Sequence, residues 1–187
     1  EEPEDLVNFQ TYFAKKEGSV TAPVSSLHFT RELMKRMEIK GIDTAYVTMH
    51  IGLGCFREID VEDLTKHKMD SDLISVDSEA VALVNTAKSE GRKICAVGTS
   101  VQRVLETATL IGGMLKEYDG WTSKFIFPEY NFQVANCMIA NFYNPYSTML
   151  MLTAAFGGYE LIMDAYNEAL KQDYRFGIYG DAMLIID

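Results

Sequence analysis

Residues 73–105 read LISVDSEAVALVNTAKSEGRKICAVGTSVQRVL. The segments Leu73–Val76 and Lys93–Val97 are short and rich in apolar and β-branched residues, which predicts two strands. Between them, Asp77-Ser78-Glu79 supplies an N-cap and early acidic residues for a helix. After the second strand, Gly98-Thr99-Ser100 leads into another helical segment. This alternation predicts an α/β fold in which a mixed or mostly parallel sheet is covered by helices.

The same patterns predict elements on both sides of this stretch. Apolar residues at helical spacing predict a helix from Thr30 to Lys40, and β-branched and aromatic residues predict a buried strand from Ile42 to Ile51. Turn residues separate the remaining segments. Within the quoted stretch, the helix that follows Asp77 extends through Ser89. After it we predict strands at Lys124–Phe127 and Phe132–Ile139 and helices at Ser147–Phe156 and Tyr159–Lys171.

The composition is that of an ordinary globular chain of 187 residues, 48% hydrophobic and 24% charged, which favours one substantial domain. Residues 1–17 are acidic and lack periodicity, so we expect a linker or arm there and a folded domain over 18–187. The longest apolar run, Met149–Phe156, is too short to cross a bilayer, and the acidic start does not resemble a signal peptide. We therefore expect a soluble, cytoplasmic protein.

Charge and cysteine usage narrow the possible functions. A net charge of -10 argues against a nucleic-acid binder with a simple basic patch, so any RNA contact would be local or made by residues outside this chain. Three cysteines without CxxC or Cys/His ligand spacing predict a reducing compartment and no structural zinc. The motifs of P-loop nucleotidases, α/β-hydrolases, zincins and Rossmann dehydrogenases are missing from the sequence.

In an open α/β sheet, ligands bind beyond the carboxyl ends of the strands. The first candidate there is His50-Ile51-Gly52-Leu53-Gly54-Cys55-Phe56, where a histidine ends a strand and two glycines permit close backbone approach. A histidine in such a place is also a common structural hydrogen-bonding residue, so both interpretations stand.

Two further candidates follow later strands. Gly98-Thr99 opens a helix whose first N–H groups attract anions, and Arg103 and Glu106 are spaced to pair on one face of it. The alternative is a helix cap followed by a solvated ion pair. Asn141–Thr148 combines polar and aromatic residues before an apolar helix, where Ser147 is either an N-cap or part of a base-stacking site.

Several ordered blocks, read together, resemble one known family from Tyr12 to Ile185. The blocks are Gly18-Ser19-Val20-Thr21-Ala22-Pro23 with Leu27-His28-Phe29-Thr30, the His50–Phe56 segment, Val61-Glu62-Asp63 through His67-Lys68-Met69, Ala96-Val97-Gly98-Thr99, Arg103 with Leu105-Glu106, Gly120-Trp121-Thr122, Asn141-Phe142, Pro145, Ser147-Thr148, and Tyr174-Arg175-Phe176 to Tyr179-Gly180-Asp181-Ala182-Met183. Their order and spacing resemble the S-adenosylmethionine:tRNA ribosyltransferase-isomerases, the QueA family of queuosine biosynthesis.

The resemblance implies a QueA-like α/β domain that binds S-adenosylmethionine without a Rossmann motif. Family members are about twice as long and carry an inserted β-barrel, which we expect to be missing from this sequence. Residues 1–17 would then be the linker or arm that follows the barrel. The reaction implied is transfer of the ribosyl group of S-adenosylmethionine, a co-substrate, to 7-aminomethyl-7-deazaguanine at the wobble position of tRNA, without a metal.

The resemblance also implies roles for particular residues. His50 would be an acid or base, and Arg103 with Glu106 would anchor charged or hydroxyl groups of the co-substrate, which makes these three the expected catalytic residues. The expected substrate-binding residues are His28, Gly52, Gly54, Phe56, Gly98, Thr99, Asn141, Ser147 and Asp181.

The sequence departs from the family pattern at several positions. Cys55 and Glu58 replace Thr and Pro, and Tyr143-Asn144-Pro145-Tyr146 stands where the family has His-Leu-Pro-Lys. The last change removes an acid/base candidate and a cation from one turn. These departures leave open a second reading, a non-catalytic or repurposed relative that binds S-adenosylmethionine or RNA.

Overall fold

The computed structural model describes residues 8–186, so part of the predicted arm, residues 1–7, lies outside the described residues. Within that range the chain forms five α-helices and six β-strands, joined by loops and short 3-10 helices. The helices are α1 (Arg31–Ile39), α2 (Ser78–Ser89), α3 (Thr99–Thr107), α4 (Thr148–Gly157) and α5 (Tyr159–Lys171). The strands are β1 (Thr48–His50), β2 (Asp72–Val76), β3 (Cys95–Val97), β4 (Tyr118–Thr122), β5 (Cys137–Asn141) and β6 (Ala182–Ile186).

The strands form two three-stranded sheets. The first has the order β1-β2-β4, and both of its pairs are antiparallel, with Thr48 opposite Ser75. The second has the order β3-β5-β6, in which β3 and β5 are parallel and β5 and β6 antiparallel. The α/β fold class is confirmed, and one sheet is mixed as predicted. The division into two sheets was not anticipated, because helix–strand alternation does not report which strands pair.

The predicted helices are confirmed to within one residue at most ends, and local capping explains why. Thr30 accepts a hydrogen bond from the Leu33 N–H at 3.2 Å and so caps α1. The Asp77 carboxylate does the same for α2 with the Ala80 N–H at 2.9 Å. These caps are encoded within three or four residues, so the sequence alone reveals them.

The strand predictions were less accurate, because a strand forms only where a neighbouring strand is available to pair with it. Of the predicted strand Ile42–Ile51, only β1 forms, because its partner β2 gives way to the N-cap of α2 just beyond Val76. Residues 42–47 therefore have no neighbouring strand in the described part of the chain, and Ile42 is 50% exposed. The predicted burial of this stretch was wrong.

Two further corrections concern the second half of the chain. Lys124–Phe127 is not a strand, and of Phe132–Ile139 only the end from Cys137 belongs to β5. The N–H groups of Gln133 and Val134 donate to the Glu106 carboxylate, so they are unavailable to a neighbouring strand. Strand β4, with Asp and Gly at its centre, and the C-terminal β6 were not predicted.

The core lies where the sheets meet the helices. The most deeply buried side chains come from both sheets and from two helices: Ile74 of β2, Met138 of β5, Val104 of α3 and Ile162 of α5. Burial of one such side chain contributes roughly 1.5–3 kcal/mol. Helix α3 leaves β3 through Gly98 and also carries buried polar residues. It therefore brings charged groups between the two sheets.

Candidate active site

The segment Gly18–His28 connects the two sheets. The Val20 N–H donates to the Ile51 carbonyl at 2.9 Å, just beyond β1 of the first sheet. Farther along, the Ser25 hydroxyl lies 3.3 Å from the Tyr143 hydroxyl, after β5 of the second sheet. Two of the regions predicted from strand ends are thus tied to one segment.

His50 is the last residue of β1 and is half-buried opposite Leu73. Gly18 lies against its imidazole, since a Cβ at Gly18 would come within 2.7 Å of Nδ1. Gly18 also has a φ of +137°, which side-chain-bearing residues rarely adopt. Gly18 therefore adjoins the candidate residue His50, although it was not among the predicted site residues. The sequence signal was its place at the start of the first family block.

The glycines after His50 pack against the chain's own acids. The Gly52 N–H donates to Asp72 Oδ1 at 2.8 Å. A Cβ at Gly54 would collide with the side chain of Asp70. In the described structure, these glycines permit close approach to two carboxylates at the start of β2, those of Asp70 and Asp72. Leu53 and Phe56 are exposed beside them.

Arg103 is 6% exposed and fastens α3 to the first sheet. Its Nη1 donates to Asp72 Oδ2 at 2.6 Å, and its Nε donates to the Lys124 carbonyl at 2.8 Å. Its Nη2 donates to the carbonyls of Asp70 and Thr122 at 3.2 and 3.1 Å. Asp72 therefore bridges Arg103 and Gly52, so the glycine loop and α3 are held by one buried carboxylate.

Glu106 is 4% exposed and has a separate set of partners. Its carboxylate accepts from the N–H groups of Gln133 and Val134 at 2.9 and 3.2 Å and from the Tyr130 hydroxyl at 3.1 Å. The predicted Arg103–Glu106 pair does not form, and the alternative of a solvated ion pair is also wrong. Helical spacing allowed the pair, but each side chain instead binds groups that are distant in sequence: Arg103 binds Asp72, and Glu106 binds the Gln133 and Val134 N–H groups.

The Tyr130 hydroxyl donates a hydrogen bond to Glu106, and its surroundings keep it protonated to a higher pH than usual. Burial, followed by the negative charge of Glu106, raises the pKa of Tyr130 to about 12. Lys124 Nζ lies 3.4 Å from the Tyr130 hydroxyl. A chain of polar contacts thus leads from Lys124, after β4, through Tyr130 to Glu106 of α3.

Gly98 and Thr99 lie at the carboxyl end of the parallel strand β3. The Gly98 N–H donates to the Ile139 carbonyl at 2.8 Å, and with a φ of +99° Gly98 forms the N-cap of α3. Thr99 is buried in the first turn. Gly98 lies close to Ser25, since a Cβ there would be 3.6 Å from the Ser25 Cβ. The start of α3 and Ser25 thus lie side by side.

The remaining predicted site residues divide between scaffold and surface. Asn141 is fully buried and donates to the Gly180 carbonyl at 3.3 Å, and Ser147 caps α4 through the Leu150 N–H at 3.1 Å. The Asp181 carboxylate accepts from the Arg175 N–H at 2.8 Å and closes a loop. His28 and Phe56 are exposed.

The 53–59 loop is tied to the turn before α4. The Ile59 N–H donates to the Tyr146 carbonyl at 2.8 Å, and Tyr146 is 68% exposed with a φ of +60°. The Tyr143 hydroxyl, by contrast, faces Ser25 inside the segment that joins the sheets. Of the two tyrosines that replace the family's His and Lys, one is thus packed inward and the other is on the surface.

Residues 8–186 lack two kinds of feature. They contain no group of three or more His, Cys, Asp or Glu side chains arranged to hold a metal ion. None of the helices in this range is both long and apolar enough to span a bilayer.

Comparisons with known proteins identify the chain's relatives. The chain is 68% identical over 186 residues to the S-adenosylmethionine:tRNA ribosyltransferase-isomerase of Phocaeicola vulgatus, covering 100% of this chain and 53% of that protein. It is 65% identical to the Bacteroides fragilis protein of the same name, with the same coverage. The crystal structure of S-adenosylmethionine tRNA ribosyltransferase from Thermotoga maritima matches with a TM-score of 0.70 at 36% identity, over 87% of this chain and 51% of that one.

The chain thus spans about half the length of the curated relatives that it matches. The model of the queuosine biosynthesis protein family matches residues 2–185, nearly the whole sequence. The resemblance drawn from the ordered blocks is confirmed. The chain belongs to the queuosine biosynthesis protein family.

Proposed function

We propose that the complete protein transfers and isomerises the ribosyl group of S-adenosylmethionine onto 7-aminomethyl-7-deazaguanine in tRNA, giving epoxyqueuosine and releasing adenine and methionine. The observation that carries this proposal is 68% identity over 186 residues to a protein named S-adenosylmethionine:tRNA ribosyltransferase-isomerase. The proposal concerns the complete protein because this chain covers 53% of that relative.

The chemistry requires a base near the 5′ carbon, which the adjacent sulfonium acidifies, and a proton donor for the departing adenine. His50 is the residue to which we assign one of these proton transfers. Its support is geometric: it is half-buried at a strand end, and Gly18 lies against its ring. A ring restrained in this way loses little freedom when substrate binds, which favours catalysis.

We assign Arg103 and Glu106 to positioning rather than to contact with substrate. The Arg103 guanidinium donates four hydrogen bonds to atoms of the chain itself, and through Asp72 it fixes the Gly52 N–H. Glu106 orders Gln133 and Val134 in the same way. Both residues therefore act on the reaction through the loops that they hold.

Substrate contacts fall to the groups around these fixed points. The first turn of α3, which begins at Thr99, offers N–H groups to an anionic or hydroxyl group of the co-substrate, and Gly98 is the N-cap before it. Gly52 and Gly54 line the loop after His50, and the exposed Phe56 and His28 are available to a base or ribose. We assign Asn141, Ser147 and Asp181 to holding the loop at Gly180, the start of α4 and the backbone at Arg175 in place.

The remaining features of the proposal follow from the reaction. The partner is tRNA that carries the deazaguanine precursor at the wobble position, the co-substrate is S-adenosylmethionine, and the proton transfers need no metal. Such a reaction takes place in the cytoplasm. We also propose that the domain covers residues 18–187 and that the described part of the predicted arm, residues 8–17, leads into it.

The test is incubation of the complete protein with S-adenosylmethionine and precursor-bearing tRNA, following adenine release and the mass of the wobble nucleoside. We expect epoxyqueuosine from the wild type and a loss of about 100-fold or more with His50→Ala, the size typical of an acid–base residue. His50→Ala should still bind S-adenosylmethionine. Binding of S-adenosylmethionine by the wild type without any turnover would instead favour the repurposed relative.

A further inference from the structure

A groove lies on the side of the molecule formed by Tyr12, helix α1 and residues 42–46. We call it the α1 groove; its volume is about 450 Å³, and its lining includes Tyr12, Arg31, Met34, Ile42 and Tyr46. No residue of α1 is buried, so the helix presents most of its surface to solvent. The groove is separate from the Gly18–His50 contact described above.

Aromatic rings in the α1 groove are held in place by one another. The Arg31 guanidinium lies over the Tyr12 ring, 4.6 Å from its centroid. Phe13 links the two sides, with ring centroids 5.2 Å from Tyr12 and 5.3 Å from Tyr46. Tyr12 and Tyr46 are nevertheless 40% and 47% exposed. Fixed, half-exposed aromatic rings beside an arginine form a surface on which nucleobases can stack.

The local charge is opposite to that of the whole chain. Between Asn8 and Val47 the sequence has six basic and four acidic residues, in a chain of net charge -10. Two of these acids already have cationic partners: Glu38 pairs with Lys35 at 2.8 Å and Asp43 with Arg92 at 2.9 Å. The region therefore has cations to offer to a polyanion, as a local RNA contact requires.

We infer that the α1 groove binds single-stranded nucleotides of the tRNA substrate next to the modified base. This inference rests on the proposed function, which supplies the RNA. Tyr46 is four residues before His50, so the two are at most about 14 Å apart along the chain. Neighbouring nucleotides of one RNA loop can span that distance.

The chemistry of the groove favours RNA over a protein partner. By contrast, the exposed apolar residues Leu184 and Ile186 on the edge strand β6 are aliphatic and offer no rings for stacking. The α1 groove instead combines two tyrosines with Arg31 and Lys35, and the two acids in its lining, Glu38 and Asp43, already have cationic partners. This combination is typical of single-strand binding surfaces.

The experiment measures the affinity of the complete protein for precursor-bearing tRNA at several salt concentrations. We expect Tyr46→Ala to weaken tRNA binding by roughly 5- to 150-fold, the range for loss of one stacked base. Arg31→Glu should weaken binding and lower the slope of log affinity against log salt by about 0.7 for each phosphate that is no longer neutralised. Affinity for S-adenosylmethionine and kcat at saturating tRNA should be unchanged in both variants.

Matched controls keep the result interpretable. Tyr46→Phe retains the ring and should bind tRNA like the wild type, and Lys171→Glu reverses an exposed charge on α5, where Lys171 pairs with Glu168. Unchanged tRNA affinity in Tyr46→Ala and Arg31→Glu overturns the inference, as does an equal loss in Lys171→Glu. A loss of affinity that merely follows a lower melting temperature also overturns it, because the side chain would then stabilise the fold rather than contact RNA. If tRNA binds through the groove but no adenine is released, the groove inference stands and the proposed function fails.

Discussion

Helices α1 and α3 have nine residues each, yet they use their charged residues in opposite ways. No residue of α1 is buried, and its two arginines and one lysine lie at the surface. Six residues of α3 are buried, among them Arg103 and Glu106, which form hydrogen bonds with groups distant in sequence. The difference shows that a charged residue on a predicted helix is available to a ligand only where the tertiary structure leaves it without a buried partner.

The largest effect is expected at the buried charge of α3. Arg103→Met removes a cation from Asp72, which is itself buried, and should lower the free energy of unfolding by about 3–5 kcal/mol. Denaturant unfolding of wild type and variant measures this change in the free energy of unfolding. The matched variant on α1, Arg36→Ala, removes an exposed charge and should change stability by no more than about 0.5 kcal/mol. Similar values for the two variants would contradict the contrast between the helices.

A smaller effect is expected where Tyr130 donates to Glu106 of α3. Because its pKa is raised from 10.0 to about 12 in the folded protein, the neutral phenol stabilises the fold below pH 10. This contribution is lost as the pH rises from about 10 to about 12. Tyr130→Phe should cost about 1 kcal/mol at neutral pH and flatten the loss of stability between those values.

This prediction is tested by measuring the free energy of unfolding of the wild type and of Tyr130→Phe at several alkaline pH values. Tyr166, whose pKa is also raised to about 12 by burial, should produce a similar loss in both proteins. The variant is therefore judged by the difference between the two curves. Identical curves above pH 10 would show that the Tyr130–Glu106 contact does not contribute.

The smallest effect is expected at the cap of α1. Thr30→Ala removes the side chain that accepts from the Leu33 N–H, a change that typically costs about 1 kcal/mol. Because no residue of α1 is buried, the loss should be local and should appear as faster amide hydrogen exchange in α1. The control Thr86→Ala, at an exposed position of α2, should leave exchange in α1 unchanged. Faster global unfolding with unaltered exchange in α1 would instead show that the effect of the cap is not local.

The sequence predicted those parts of the fold that are encoded locally. The bounds of α1 and α2 follow from Thr30 and Asp77, which cap helices within their own turns. Strands depend on distant partners, so the stretch before Thr48 was predicted as a buried strand although β2 ends too soon to pair with it. Strand β4 was missed because Asp119 and Gly120 give it a weak strand pattern, while β2 supplies its pairing.

The candidate site shows the same limit. Sequence reasoning selected His50, Gly52, Gly98 and Arg103, which the structure joins through Asp72 and the Gly18–His28 segment. It did not select Asp72, since an acid at the start of a strand carries no distinctive pattern. The Arg103–Glu106 pair was inferred from i,i+3 spacing, but spacing cannot reveal that Gln133 and Val134 compete for Glu106.

The Gly18–His28 segment has a mechanical consequence. One end of it abuts the His50 ring and bonds to Ile51, and the other end lies against Gly98 and the Tyr143 hydroxyl. A shift along this segment would displace the imidazole and the start of α3 in the same movement. The Gly18–His28 segment is thus a second connection between these two halves of the candidate site, in addition to the buried Asp72 that joins Gly52 to Arg103.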